Sequence, residues 1–335
     1  MILAFVTIMC WEIHLRLIGN KIDYDDNTAL WANKRGMVYQ PKDQATVFIG
    51  SSRIKYDLNI PSWRAMTGEN AVQLANQGSN PRPVLSDLAN DPNFKGKLVI
   101  DVTEEIFFGN FAPNDEETFK RIEYYHHITP TQRASFQIDR VLESQFVFLN
   151  QDEFSIKAML DELKLPRRPG VFPGLDFPAD FGKCTFERES YMTPRFVADT
   201  NLQNRVKAVW TFIGGLDTSA PVSGPRLEAI LNSVKADVDK IKSRGGEVIF
   251  VRTPSSGNML QFEQHAYPRT GYWDKLLAAT GCRGIFYADY PAIAHLICPE
   301  WSHLKPADGL IYTRNLVQIL QGEKGWTMSR KEGAL

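Results

Sequence analysis

The two ends of this chain share one rhythm: a short apolar run, a cluster of glycine, serine or asparagine, then apolar positions at helical spacing. Short apolar runs bounded by turn residues read as strands buried on both faces. They occur at Thr46–Ile49, Ala71–Ala75, Lys97–Val102, Glu247–Val251 and Gly284–Tyr287. Between them the period changes to that of a helix. Pro61 opens one that runs through Met66 and stops at Gly68, and a second spans Pro83–Leu88. From Pro225 onward, Leu227, Ile230, Leu231, Val234, Val238 and Ile241 form one stripe that ends at Gly245 and Gly246. Trp273–Ala279 and Ala307–Leu320 supply two more helices. Strands alternating with helices predict a parallel sheet of about five strands with helices on both faces.

The rhythm fails between Thr103 and Val222. This interval holds an aromatic cluster (Ile106, Phe107, Phe108, Phe111), the run Tyr124-Tyr125-His126-His127, and a proline- and glycine-rich stretch over residues 166–182. It is too long for a plain connection and reads as a mainly helical insertion at 105–222, able to form a lid or a partner surface. The α/β domain then covers residues 45–322, with a polar lead-in at 20–44 and a tail at 323–335. Ile2–Trp11 is almost unbroken apolar sequence, and Glu12, His14 and Arg16 stand among the apolar residues that follow. A spanning helix needs about 20 apolar residues, roughly twice that run. Neither basic flanking residues nor a small-residue cleavage site marks it as a signal peptide. Residues 1–19 read as part of an N-terminal membrane anchor. The alternative is an amphipathic helix packed on the domain.

Composition acts mainly by exclusion. The 335 residues are 43% hydrophobic and 23% charged, enough to bury a full core. A formal net charge of -1, with no Lys/Arg-rich run, argues against nucleic acid as a partner. Cys10, Cys184, Cys282 and Cys298 form neither a CxxC pair nor a zinc-ligand spacing. With no nucleotide-binding glycine pattern either, no metal or cofactor is expected. Cys282 and Cys298 flank one predicted strand and either pair in an oxidising compartment or stay as buried thiols. His126 and His127, adjacent on a helix, point about 100° apart and read as solvated surface.

The residues able to do chemistry sit at strand tips. Open α/β sheets bind ligands beyond the carboxyl ends of their strands, and Gly50-Ser51-Ser52-Arg53 follows the first strand directly. A serine hydroxyl is a weak nucleophile until a base takes its proton, and the base needs a third group to hold its tautomer. Ser52 supplies the hydroxyl. His303, in the loop before the last helix, supplies the base, and Glu300, three residues earlier, the orienting carboxylate. The N–H groups of Ser52 and Gly78 and the side chain of Asn80 are the candidate oxyanion donors. Arg53 reads as paired with a carboxylate such as Asp57, or else as an anion-binding group. Asp101, an unusual strand residue, either reaches the crevice or is hydrogen-bonded for structure. Arg252 and Ser255, after the fourth strand, are candidate pocket residues.

Taken in order, Gly50-Ser51-Ser52-Arg53, Asn76-Gln77-Gly78 after the second strand, and Glu300-Trp301-Ser302-His303-Leu304 resemble the SGNH (GDSL-type) hydrolases. That family's first block reads Gly-Asp-Ser, so Ser52 rather than Ser51 matches the nucleophile. Gly78 matches the oxyanion glycine of the second block. Glu300 and His303 match the closing Asp-x-x-His, with glutamate for aspartate. The third-block Gly-x-Asn-Asp has no counterpart, because the third strand runs into Val102-Thr103-Glu104-Glu105. The resemblance spans residues 45–104 and 225–321 and leaves the N-terminal segment and the insertion unmatched.

The resemblance implies a flavodoxin-like three-layer α/β/α sandwich. It also implies a serine esterase or O-acyltransferase acting on an acyl ester, with Ser52 acylated and His303 carrying the proton. An anchor joined to such a core is similar to extracytoplasmic proteins that add or remove acetyl groups on cell-surface polysaccharides, often beside a membrane-bound O-acyltransferase. An acyl-ester or glycan substrate and a partner of that kind are the expectation. The alternative is a catalytically silent, membrane-anchored module that binds a glycan or protein through its insertion.

Overall fold

The computed structural model describes residues 1–109, 115–161, 175, 177–216 and 219–328. Its strands are β1 (Ala45–Ile49), β2 (Asn70–Gln73), β3 (Lys97–Asp101), β4 (Lys183–Cys184), β5 (Ser190–Tyr191), β6 (Glu247–Arg252) and β7 (Arg283–Phe286). Ahead of the sheet stand α1 (Ile2–Leu17) and α2 (Thr28–Arg35). The β1–β2 crossover contains α3 (Ser52–Asp57) and α4 (Ile60–Thr67), and α5 (Arg82–Asn90) leads to β3. The insertion carries α6 (Glu104–Phe107), α7 (Asp115–His127), α8 (Pro130–Glu143), α9 (Gln151–Phe154) and α10 (Ile156–Asp161). After the β4/β5 ribbon it continues with α11 (Pro194–Ala198) and α12 (Thr200–Leu216). The chain then returns through α13 (Gly224–Ser243) to β6, and through α14 (Gly257–Ala266) and α15 (Trp273–Thr280) to β7. It closes with α16 (Pro291–Ala294) and α17 (Pro306–Gly322).

The sheet is all parallel in the order β2-β1-β3-β6-β7, with Val47 opposite both Val72 and Leu98 and Val99 opposite Ile249. Alternation along each strand sorts the core into two layers. Val47, Ile49, Leu98, Ile100, Val248 and Phe250 face α5, α13 and α15. Phe48, Val99, Ile249, Val251 and Ile285 face α4, α16 and α17. This is the expected three-layer α/β/α sandwich with flavodoxin-like strand order. Local signals set the ends of its elements. Asn59 caps α4 by accepting from the Ser62 N–H at 3.0 Å, and Gly68 ends it at φ +73°.

The lead-in and the tail are more structured than their polar sequence suggests. Trp31 of α2 is fully buried and its indole N–H donates to the Leu74 carbonyl at 3.1 Å. In the tail, Trp326 is buried and Lys97 Nζ donates to the Thr327 carbonyl. The insertion is mainly helical as expected, with the β4/β5 ribbon added; Phe111 and most of residues 166–182 lie outside the described residues. All four cysteines are free, so Cys282 and Cys298 are not bonded to each other. No helix among the described residues is long and apolar enough to cross a membrane. α1 nonetheless exposes Ile2, Leu3, Phe5, Val6, Ile8 and Trp11. Its last turns are tied to the insertion: Glu12 accepts the Val147 and Phe148 N–H groups, each at 3.1 Å, and Arg16 donates to the Gln145 carbonyl at 2.7 Å.

Candidate active site

The strand order places a topological switch between β1 and β3. From β1 the chain steps outward to β2, then returns across β1 to β3, so the connections after β1 and β3 leave on opposite sides. The crevice at the carboxyl ends of such a strand pair is the usual ligand site of an open α/β sheet. It is flanked here by Gly50-Ser51-Ser52 and by Val102-Thr103-Glu104-Glu105. Gly50 is needed for packing: a Cβ there would lie 2.7 Å from Ile54 Cγ2 and 2.8 Å from Asp101 Cβ.

The Glu300–His303 pair is held tightly. Glu300 is fully buried, and its Oε1 accepts both the His303 backbone N–H at 2.6 Å and His303 Nδ1 at 2.9 Å. A carboxylate only accepts, so Nδ1 carries a proton, and in the neutral imidazole Nε2 is then the acceptor. Between the two residues Trp301 adopts φ +83°, an uncommon conformation for a bulky side chain. The strained turn is braced by the β6–α14 loop. Ser256 N–H donates to the Trp301 carbonyl at 2.8 Å, and the indole lies so close to Gly257 that a Cβ there would come within 2.5 Å of it. Strain of this kind persists only where surrounding contacts over-determine it.

Helix α3 and the 302–304 segment share one rim. Arg53 Nε donates to Ser302 Oγ at 3.3 Å, the Tyr56 ring lies 4.4 Å from the His303 ring, and Asp57 Oδ1 accepts the Leu304 N–H at 2.9 Å. Ser52 is the first residue of α3 and precedes Tyr56 by four, so the two project from one helix face. Ser52 is half-buried, whereas the Ser51 hydroxyl is buried without a partner. His303 is only 1% exposed, under the rings of Tyr56, Phe181 and Trp210, and its Nε2 has no hydrogen-bond partner, Ser52 included.

The remaining candidates divide. Gly78 is half-buried at φ +62° beyond β2, a conformation that suits glycine. Ser52, at the first position of α3, has an N–H with no partner inside that helix. Asn80 is engaged locally: Nδ2 donates to the Ile106 carbonyl at 2.8 Å, and Oδ1 accepts from Arg82 N and Nε at 2.9 and 3.1 Å. Arg53 is ion-paired with Glu263, not Asp57. Arg252 also pairs with Glu263 and bonds Glu104 Oε1 at 3.1 Å and Ser255 Oγ at 3.0 Å. Burial pushes the Glu263 carboxyl up, but Arg252 and Arg53 prevail and hold it at about 2. Arg53, Arg252 and Ser255 thus form a buried network behind the crevice. Asp101 Oδ1 accepts the Thr253 hydroxyl at 3.0 Å, and burial lifts its carboxyl to about 6. His126 Nε2 lies 2.6 Å from Asp87, while His127 Nδ1 meets the Glu123 carbonyl at 2.9 Å, so the two do not converge.

Several residues at this end of the sheet carried no sequence signal. Trp210 donates to Glu300 Oε2 at 2.5 Å, and Phe181 stacks on Tyr56 at 5.4 Å. Glu105 is half-buried at the β3 tip, where burial and then Glu263 push its carboxyl up to about 7. A raised carboxyl beside a strand tip is the one feature here that a pattern of adjacent glutamates could have flagged. No family model matches the chain, and no curated protein is significantly similar to it in sequence.

Proposed function

We propose that the chain is a serine esterase or O-acyltransferase of SGNH type, with Ser52 as nucleophile, His303 as base and Glu300 as orienting group. The observation that carries this reading is the Glu300 clamp on His303 Nδ1, together with the packing of Tyr56, on the helix that begins with Ser52, 4.4 Å from the His303 ring. In this reading Nε2 takes the Ser52 proton while Oγ bonds to the ester carbonyl carbon. The negative oxygen of the tetrahedral species faces the Ser52 and Gly78 N–H groups. Collapse expels the alcohol, which takes the proton from Nε2, and leaves an acyl-Ser52 ester. Water or a sugar hydroxyl then gives its proton to Nε2 and bonds to the acyl carbon, and the bond to Ser52 Oγ breaks as Oγ takes that proton back. An acetylated cell-surface glycan fits this chemistry as substrate. The apolar side chains exposed on α1 support attachment at a membrane; an extracytoplasmic domain beside an O-acyltransferase partner rests on the family resemblance alone.

The competing reading, a silent binding module, draws on the buried, unpartnered Nε2 and on the lack of a Gly-x-Asn-Asp block where β3 ends in Val102-Thr103-Glu104-Glu105. A fluorophosphonate probe separates the two. Labelling of the wild type but not of Ser52→Ala is expected. Labelling of neither, or of both, refutes Ser52 as an activated nucleophile.

A further inference from the structure

We infer that Trp210 is a positioning residue for the Glu300–His303 pair, so that docking of the insertion and competence of the site are a single event. This inference rests on the serine-hydrolase reading above. The Glu300 carboxylate is fully buried and has two oxygens to satisfy. Oε1 takes both donors that His303 offers, and Oε2 takes the indole N–H of Trp210 at 2.5 Å. That indole comes from α12, deep in the insertion and 90 positions earlier in the chain. Without it, a buried anionic oxygen lacks a donor, and the carboxylate turns toward whatever donor it finds. The Nδ1–H bond is then no longer imposed, and the imidazole tautomer is free to change.

The same cluster controls access. Trp210 packs on Phe177 at 5.2 Å and on His303 at 5.9 Å, and Phe181 bridges Tyr56 at 5.4 Å and His303 at 5.6 Å. Phe196, Met192, Leu202 and Val206 of the insertion complete this cluster around Tyr56. An ester enters only when these rings part, and it meets Nε2 once they settle back over it. An opening that moves α12 away also removes the donor from Glu300. The base is therefore correctly oriented only while the insertion is seated, which confines proton transfer to the covered site.

Trp210→Phe keeps most of the ring and deletes the N–H. Two measurements on the full chain test it: two-bond 15N correlations that report the His303 tautomer, and the saturating rate of fluorophosphonate labelling. The wild type is expected to show the Nδ1–H form alone, and Trp210→Phe a mixture. The saturating rate should fall by about 10- to 100-fold, the range of a charge-assisted hydrogen bond, at unchanged half-saturating probe concentration. A variant with lower melting temperature but wild-type tautomer and rate makes Trp210 a packing residue and overturns the inference. If the wild type is not labelled at all, the Ser52 reading fails, and the tautomer comparison alone decides the role of Trp210. If Trp210→Phe does not fold, the wild-type indole resonance decides. Bonded to a buried carboxylate, it lies downfield and exchanges slowly; fast exchange in the ordinary indole range refutes the bond.

Discussion

Asp26→Asn is the substitution whose cost follows most directly from the structure. The Asp26 carboxylate accepts from Arg188 Nε at 2.5 Å and Nη2 at 3.0 Å, from Lys55 Nζ at 2.6 Å and from Arg121 Nη1 at 3.2 Å. It thereby joins the lead-in, α3, α7 and the β4–β5 turn. Arg188 and Arg121 have other acceptors: Arg188 bonds the Gln73 and Ala75 carbonyls at 2.8 and 3.0 Å, and Arg121 bonds Asn76 Oδ1 at 3.0 Å. Lys55 is fully buried and has Asp26 as its ion-pair partner. The amide keeps the volume, removes the charge and turns a donor toward cations. Removing one side of a buried ion pair costs about 3–5 kcal/mol, against a total stability of about 5–15 kcal/mol. Urea denaturation at neutral pH should show a loss of that size at unchanged m-value. Asp26→Asn combined with Lys55→Met should recover part of it, since both charges are then gone. A loss below about 1 kcal/mol, or no recovery in the double variant, would refute the claim that Asp26 holds these segments together.

Gly50→Ala forces a Cβ to within 2.7 Å of Ile54 and 2.8 Å of Asp101. It should cost about 1–3 kcal/mol in denaturation and slow probe labelling of Ser52; unchanged stability would show that the turn can relax. Burial pushes the Glu189 carboxyl up to about 7 although it accepts from the Ile60 N–H at 3.0 Å and from Asn59 Nδ2 at 3.1 Å. Its contribution to stability is present below its unfolded value near 4.5 and is lost as pH rises through about 7. Unfolding free energy should thus fall between pH 5 and pH 8 by about 2–3 kcal/mol from this group, and Glu189→Gln should flatten that slope. Glu105 and Asp101, raised to about 7 and about 6, act with the same sign. Deleting residues before Asn20 should move the protein from the membrane fraction to the soluble fraction; a full-length chain already in the soluble fraction refutes the anchor.

The five strands and the helices α4, α5, α13, α15 and α17 follow from the sequence because each rests on local periodicity and on a glycine or proline at its end, whereas α14 and α16 were not anticipated. The Glu300–His303 clamp was legible for a similar reason: its members are three residues apart, and one turn brings them together. The partners of Arg53 were misassigned, since Asp57 is near in sequence but Glu263, 210 positions away, is near in space. Trp210, Phe181 and Asp26 act through contacts that cross the insertion, where hydrophobic spacing says which face is buried but not what it meets. A chain's own sequence determines where backbone conformation and amphipathic faces lie, because those depend on neighbours a few residues away. Which buried charge meets which, and which ring covers the histidine, was decided only when the layers closed, because removal from water favours pairing each buried charge with whatever part of the chain is brought alongside.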